Sequence, residues 1–497
     1  MRQGRILRLG TNQRVRENLP NAGREIDLAG RAVVPAFSAN LERLVWEALA
    51  RSTLDLSQQH NIPEIFALVE QSARTKEKGE WILGFGWNKH QWGWQRFPHR
   101  ADLDLVAPHH PVALFSADNR VAWLNSRGLS EIGIAHGTPN PSGGEIERDP
   151  TTRSATGILK EAAVGLLDGK LPEPTREELR LNLAAIFEDY LSMGVGALET
   201  YETFPHFEML REMGEEGLIP IPVVAHVRHK DRERLAERGW KTGHRFGNLE
   251  VGGLWLQVDG TLISQTALLL EPYGDDWNKH GIEVTSPEGL AEAVEWCARH
   301  GFAPIFQASG DAACLNALEA LAECAKELPS PPGAFLAQGD LLQWGAAKSG
   351  LEKGVTVVTN PRRILSEREV GKLFWGSRWK KALNLRAWRE HGVRIAFGSD
   401  EPLRSWSPFQ ALAGAVSQST GPDSRLGLSL DEALLALCRS ASHAPRDELD
   451  EVFLAPSLPA HFVVLSGDPF RMEVGELGSL AVDFLFRDGA VAYERTQ

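Results

Sequence analysis

The sequence predicts a TIM (β/α)8 barrel with an inserted subdomain after its first strand and a small split β domain built from both chain ends. Three observations support this α/β prediction. Short β-branched segments alternate with longer helical patterns, which is typical of parallel α/β folds. One long segment interrupts the alternation, and both chain ends carry short strand patterns. The 497 residues, 42% of them apolar, suffice for a large enzyme-type domain with an appendage.

Eight segments have the composition of barrel strands, and helical patterns separate several of them. Thr175 and Glu178 form a capping box at the start of one helix, and Gly194 is a suitable residue for its end. Ser286 begins another helix, which Gly301 ends. The candidate barrel strands are residues 32–37, 196–201, 219–227, 253–258, 303–308, 334–338, 355–359 and 393–398.

Two regions do not follow the β/α alternation. Residues from about 55 to 174 separate the first two barrel strands and contain a strand at 111–116 and a glycine-rich turn, PSGGEIERDP, so they form an inserted subdomain. Residues 1–34 and 446–497 read as short β segments, among them FVVLSGDP. Chain ends commonly lie close together, so we expect one small β domain from both, with the barrel spanning 35–445.

The charge balance limits the classes of partner. Acidic residues outnumber basic ones by 66 to 53, giving a net charge of −13, which argues against nucleic acid and anionic membrane surfaces. No segment approaches the ~20 apolar residues of a membrane span. The N-terminus shows no secretory signal, and the four cysteines form no CxxC pair. We therefore expect a cytoplasmic protein with a small-molecule ligand and, as the commonest assembly, a homodimer.

A series of motifs carries a resemblance to a known family. They occur in one order along almost the whole chain: GRAVVPAF, GEWILGFGWN, RADLDLVAPHHPV, AWLNSRGLSEIGI, PSGGEIERDP, ATGILKEAA, VDGTLISQTALLLEPY, GDAACLNALEA and FGSDEP. With these motifs the chain resembles the amidohydrolase superfamily, in the branch of N-substituted formamide deformylase-like metal-dependent hydrolases. The resemblance implies a TIM barrel and hydrolysis of amide-type C–N bonds in small molecules.

The resemblance also implies a metal site at the C-terminal rim of the barrel. In such hydrolases a His-x-His pair on strand 1, a lysine on strand 4, one histidine each on strands 5 and 6 and an aspartate after strand 8 hold zinc or another divalent ion. The ion lowers the pKa of bound water, and the resulting hydroxide attacks an amide carbon.

This chain departs from that pattern at five of six positions. Its strand 1 motif reads PAFSANLER, and the first 59 residues contain no histidine. Leucine and tryptophan cannot coordinate a metal, glutamine is a poor ligand, and arginine keeps its proton. We therefore predict no metal cofactor. The residues at the former ligand positions are Leu41 and Arg43 on strand 1, Trp255 on strand 4, Gln307 on strand 5 and Leu336 on strand 6.

Asp400, in FGSD, keeps the family's residue and is the predicted catalytic group. Arg120 stands where the family has a further histidine near the substrate, and we expect Arg120 or Arg43 to take the metal's electrostatic place beside Asp400. Glu199, at the end of strand 2, is a second candidate substrate contact and acid–base partner. The alternative for Asp400 is a loop or helix-start residue without function.

Three functions remain open at this point. The first is a degenerate, metal-free relative with a rim pocket that binds a small anion or amide. The second is an active hydrolase that uses Asp400 with rearranged ligands, for which His226 and His229 in AHVRH are the nearest candidates, although a plain rim pair explains them as well. The third is a non-catalytic partner subunit of an active paralogue.

Overall fold

The structure of the protein is a computed structural model, which describes residues 1–16, 25–92, 97–328, 333–399, 406–417, 426–441 and 453–496. Three sheets organise the chain, and each corresponds to one part of the predicted architecture.

The central sheet is a parallel eight-stranded TIM barrel, which confirms the predicted fold class. A parallel bridge between Asn40 and Gly398 joins its first and last strands, and a short antiparallel strand, β11 (Arg245–Phe246), pairs with the fourth barrel strand. The barrel strands are β2 (Phe37–Glu42), β9 (Val195–Glu202), β10 (Val223–Arg228), β12 (Leu249–Gln257), β13 (Pro304–Ala308), β14 (Phe335–Gln338), β15 (Thr356–Thr359) and β16 (Arg394–Phe397).

Capping residues set the limits of the helices between these strands. Thr175 accepts a hydrogen bond from the Glu178 backbone in the predicted capping box, and Gly194 adopts a left-handed φ of +81° just after that helix. The α-helices are α1 (Asn12–Arg16), α2 (Leu44–Ala50), α3 (Ile62–Thr75), α4 (Arg100–Val106), α5 (Ser126–Glu131), α6 (Arg176–Ser192), α7 (Phe204–Glu215), α8 (Arg232–Ala236), α9 (Pro287–His300), α10 (Asp311–Glu327), α11 (Trp344–Leu351), α12 (Arg363–Ser366), α13 (Arg368–Trp375), α14 (Leu385–Glu390), α15 (Pro408–Ser417) and α16 (Leu430–Cys438).

A six-stranded mixed sheet forms the inserted subdomain between the first two barrel strands, as predicted. Half of the segment predicted as a glycine-rich turn is in fact a strand, because Gly144–Arg148 pairs with the neighbouring hairpin strand after a left-handed Gly143. In spatial order the strands are β3 (Leu54–Asp55), β4 (Ile82–Trp87), β5 (Val112–Ser116), β6 (Val121–Leu124), β8 (Ala155–Glu161) and β7 (Gly144–Arg148).

The third sheet combines both chain ends, which confirms the split β domain. Its antiparallel strands are β1 (Val33–Pro35), β17 (Phe462–Leu465), β18 (Val482–Arg487) and β19 (Ala490–Glu494). The strand predicted at 32–37 is therefore wrong as a barrel strand: its residues 33–35 pair with β17, and the barrel begins at Phe37. The domain boundaries at 34/35 and 445/446 stay a prediction, and the second falls outside the described residues.

The largest apolar core lies between the barrel strands and the surrounding helices. Because strand side chains alternate between two faces, every second barrel residue belongs to this outer core and the others point into the barrel. Among the described residues, no helix is both long and apolar enough to cross a membrane.

Candidate functional site

A cleft of about 1040 Å³ lies at the rim of the barrel, between the ends of the barrel strands and the inserted sheet. Catalytic and binding groups of TIM barrels collect at this end of the strands. Aromatic side chains and charged groups line the cleft together, among them Trp46, Phe85, Phe115, Arg120 and Glu161 before the second barrel strand and Tyr201, Arg228, Trp255 and Gln257 on the barrel.

An apolar cluster fills the barrel interior below this cleft. Leu41 is 2% exposed and packs in it with Tyr201, and Trp255 packs against the same cluster with its ring centre 5.6 Å from that of Tyr201. The neighbours of Trp255 along its strand, Leu254 and Leu256, belong to the outer core. The other members of the interior cluster are Ala303, Ile305, Phe335, Ala337, Val358, Ala396 and Ala441.

A backbone irregularity turns Leu41 toward the barrel interior. Ala39 belongs to the outer core, so simple alternation along the strand would place Leu41 there too. Instead Leu41 adopts a φ of +65°, and the register with β9 shifts between Ala39 and Glu42. This bulge-like step re-aims the side chain into the interior cluster.

The remaining former ligand positions divide between the interior and the outer core. Gln307 is buried and lies beside Gln257 and Ala337 in the sheet register. Arg43 lines the cleft. Leu336, by contrast, packs in the outer core, while its neighbours Phe335 and Ala337 face the interior. Leu41 and Trp255 thus pack in the barrel interior, Arg43 lines the cleft, and Gln307 is buried. The side chain of Leu336 lies on the outer face of its strand.

Asp400, the predicted catalytic residue, lies outside the described residues. The expected contact of Arg43 or Arg120 with Asp400 therefore stays a prediction, as does an acid–base pair of Asp400 with Glu199.

Glu199 lies inside the barrel, three residues before the end of its strand at Glu202. Its carboxylate accepts hydrogen bonds from the Ser440 hydroxyl at 2.5 Å and from His226 Nε2 at 3.1 Å. The backbone N–H of Gly253 donates to His226 Nδ1 at 2.8 Å, so the neutral ring carries its proton on Nε2. Glu199 and His226 form a buried polar pair, and neither is among the described side chains that line the cleft.

His229, the other histidine of the pair noted in the sequence, lines the cleft. Burial and the nearby Arg232 guanidinium lower the pKa of His229 to about 4, so its ring is neutral at physiological pH. With His226 bound to Glu199 inside the barrel, the two histidines have different surroundings.

A buried polar network crosses from the inserted sheet to the barrel. The Glu161 carboxyl accepts hydrogen bonds from Gln257 Nε2 and from the Thr266 hydroxyl, both at 2.5 Å, and Arg120 Nη1 lies 3.9 Å from Glu161 Oε2. Burial raises the pKa of Glu161 to about 7, although Arg120 and the hydroxyl of Thr266 oppose this shift. Glu161 is thus a carboxyl group whose neutral and ionised forms are both accessible near pH 7.

Asp118 is linked to the same network through the backbone of Arg120, whose N–H donates a hydrogen bond to the Asp118 carboxylate. Burial alone would raise the pKa of Asp118, but hydroxyl groups of Ser116, Ser264 and Thr261 donate to the carboxylate, and together with the Arg120 backbone they lower that pKa below its usual value. An ionised Asp118 therefore fixes the backbone from which the Arg120 side chain extends.

The side chains at the barrel mouth do not fit the divalent metal that the resemblance implies. Leu41 and Trp255 offer no ligand atom, and the Gln307 amide is a weak neutral ligand. In the part of the chain that the structure describes, no group of three or more histidine, cysteine, aspartate or glutamate side chains is arranged to hold a metal ion.

Comparison with known proteins identifies the family. A family model described as "Amidohydrolase family" matches residues 24–493, nearly the whole chain. The chain belongs to the amidohydrolase family. This result confirms the family that the sequence motifs indicate.

Relatives of this amidohydrolase-family chain match it over nearly its full length. The N-substituted formamide deformylase of Arthrobacter pascens is 26% identical, with 99% of this chain and 94% of that protein covered. The putative amidohydrolase YtcJ of Bacillus subtilis (strain 168) is 25% identical, with 99% and 95% covered. A solved structure of an uncharacterized metal-dependent hydrolase from Pyrococcus horikoshii OT3 has a TM-score of 0.73 at 22% identity, covering 96% of this chain and 94% of that one, and it shares the fold.

The sequence analysis did not predict that residues of the inserted sheet line the cleft of this amidohydrolase-family chain. Glu161, Asn119 and Gln257 were not candidates, although Glu161 lies in the family motif ATGILKEAA and Asn119 directly precedes Arg120. Glu161 lies two residues after the apolar pair Ile158 and Leu159, on the same strand as Leu159, and that position was a signal that its carboxyl group would be buried.

Proposed function

We propose that this protein is a metal-independent member of the amidohydrolase family that binds a small anion or amide in its rim cleft and has lost the family's metal-dependent hydrolysis. The observation that supports the proposal is the packing of Leu41 and Trp255 with Tyr201 in the barrel interior, because the family resemblance implies metal ligands at the positions of Leu41 and Trp255. Hydrolysis by that route needs an ion that lowers the pKa of bound water.

The cleft itself supports a binding role. Its volume of about 1040 Å³ suits a small-molecule ligand, and its lining combines aromatic surface with a few charged groups, as binding pockets commonly do. Arg43, Arg120 and Arg228 line it, although Asp168 holds Arg228 at 3.2 Å. The cytoplasmic location and the homodimer expected from the sequence belong to the same proposal.

Metal content tests the proposal directly. The protein is expressed in medium supplemented with zinc and manganese, purified without chelator, and its metal measured per chain. We expect less than ~0.1 ion per chain, because Leu41 and Trp255 offer no ligand atom and Gln307 offers only a weak neutral one. About one ion per chain would overturn the proposal and favour an active hydrolase with a rearranged site.

Turnover and assembly separate the other two functions. The first assay measures release of amine from small N-substituted formamides. Release by the wild type that is lost in Asp400→Asn, but kept in the exposed control Glu131→Gln, would favour the hydrolase that uses Asp400. A stable complex with a second, metal-containing family member on gentle purification would favour the partner subunit. We expect neither, and we expect instead that small carboxylic acids or amides raise the melting temperature.

A further inference from the structure

We propose that the rim cleft takes a carboxylic acid with an aromatic body, whose carboxylate is held by the Nε–Nη2 edge of the Arg120 guanidinium. This inference rests on the proposed function and names the class of ligand for the same cleft. The family has a histidine at the position of Arg120, so the family resemblance does not imply that Arg120 binds a carboxylate. It does not imply an aromatic ligand either.

Arg120 is a buried cation with unused hydrogen-bond donors. It is 5% exposed, and its backbone is fixed by a hydrogen bond to Asp118 at 3.2 Å and by one from the Glu161 backbone at 2.9 Å. Among the described residues, Nε and Nη2 of the guanidinium have no hydrogen-bond partner. Buried donors without partners are costly and uncommon in native proteins, so this edge requires an acceptor.

The two unused donors lie on one edge of the planar guanidinium. The N–H groups of Nε and Nη2 point in nearly parallel directions, with the spacing of the two oxygens of a carboxylate, whereas a neutral amide offers one oxygen. Glu161 does not use this edge, since its nearest approach is 3.9 Å and is to Nη1. The geometry therefore favours a bidentate carboxylate from a ligand.

The aromatic side chains that line the same cleft as Arg120 indicate the rest of the ligand. Phe85 and Phe115 stack with ring centres 4.6 Å apart, and Trp46 meets Phe85 edge to face at 4.8 Å. Trp255 lines the cleft from the barrel side. Flat apolar surfaces of this kind pack best against an aromatic ring.

The local charge is compatible with an added anion. The Asp118 carboxylate is already satisfied by three hydroxyl groups and faces the Arg120 backbone rather than the free edge. The pKa of Glu161, raised by burial to about 7, allows that carboxyl to be neutral when a second carboxylate arrives. Arg43 adds positive charge to the lining, whereas Arg228 is paired with Asp168 at 3.2 Å and Arg232 with Glu292 at 3.1 Å.

A matched pair of probes tests the proposal. Binding of 3-phenylpropionate and of its neutral analogue 3-phenylpropanamide is measured by titration calorimetry on the full-length protein. We expect the acid to bind about tenfold or more tightly than the amide. Equal affinities, or an amide that binds more tightly, would overturn the carboxylate class and leave the proposed small-molecule cleft in place. If neither probe binds, the carboxylate proposal is also overturned. The proposed function is tested separately by the metal content.

Two variants locate the binding edge. Arg120→Lys keeps the positive charge but loses the fork, so we expect the affinity for the acid to fall about tenfold or more while that for the amide changes little. Arg127→Lys, on the exposed surface of α5, is the matched control and should leave both unchanged. If Arg120→Lys fails to fold, as judged by its circular dichroism melting curve, the comparison of acid with amide on the wild type decides the matter. Unchanged acid binding in a folded Arg120→Lys would refute the assignment.

Discussion

Glu161 makes the stability of this protein depend on pH, and replacing Glu161 with glutamine should remove that dependence. Burial raises the pKa of the Glu161 carboxyl from 4.5 to about 7 in the folded protein. The folded state then holds this proton more tightly than the unfolded chain does. The stability associated with the protonated carboxyl is fully present below about pH 4.5 and is lost as the pH rises through 7.

The size of the effect follows from the two pKa values. With 4.5 for the unfolded chain and about 7 for the folded protein, the free energy of unfolding falls by about 2.5 kcal/mol between pH 5 and pH 8. Glu161→Gln keeps the shape of the side chain but cannot ionise. Its amide oxygen can accept from only one of Gln257 and Thr266, and this change in hydrogen bonding is the same at both pH values. The stability of the variant relative to the wild type should therefore rise by about 2.5 kcal/mol over this interval.

A second buried carboxyl group acts in the same direction. Burial raises the pKa of Asp259 to about 8, and the Glu161 charge contributes to that shift. Removing the charge in Glu161→Gln therefore eases ionisation of Asp259 at high pH. The measured gain at pH 8 should thus be no smaller than the value expected from Glu161 alone.

The assay is denaturant unfolding followed by tryptophan fluorescence, at pH 5 and pH 8 and constant ionic strength. Glu131→Gln, at an exposed position on α5, serves as the control and should shift the free energy of unfolding equally at both pH values. If Glu161→Gln also showed the same difference from the wild type at pH 5 and pH 8, the Glu161 carboxyl would not carry the burial penalty, and the reasoning would be refuted.

Three further substitutions test other parts of the structure by the free energy of unfolding. Leu41→Ala should cost about 2–4 kcal/mol, because it empties part of the interior cluster, and a loss below about 1 kcal/mol would contradict that packing. Arg363→Met should cost about 3–5 kcal/mol, because the Arg363 guanidinium pairs with the buried carboxylates of Asp340 at 2.8 Å and Glu367 at 2.8 Å, and a neutral result would show that these charges are not held by it. Thr175→Ala should cost about 1 kcal/mol through loss of the capping box, and an unchanged midpoint would contradict that role.

Much of the fold could be predicted from local patterns. The capping box at Thr175 and the helix stop at Gly301, which has a φ of +76°, depend on residues close in sequence, and both occur as predicted. The order of β-branched segments likewise indicated the parallel barrel. The first barrel strand was misplaced because residues 32–37 form one continuous apolar run. Only pairing with distant strands assigns Val33–Pro35 and Phe37 to different sheets.

The candidate site was predictable only in part. Reading the motifs against the family assigned Leu41, Trp255 and Gln307 to former ligand positions, and that assignment stays a prediction. In the structure Leu41 and Trp255 pack in the interior cluster and Gln307 is buried. The same reading gave no indication that the Leu336 side chain packs in the outer core, because a one-residue difference in strand register exchanges the two faces.

Some properties of the site belong to single residues, and others depend on contacts between distant parts of the chain. Side-chain chemistry alone shows that Leu41 and Trp255 cannot bind a metal, since that property belongs to each residue wherever it lies. The inward turn of Leu41 and the meeting of Arg120 with Glu161 depend on tertiary structure, because a register shift and a contact between separate strands set them. Burial raises the pKa of Glu161 and leaves Nε and Nη2 of Arg120 without a partner among the described residues. Both groups become buried only when the inserted sheet packs over the barrel.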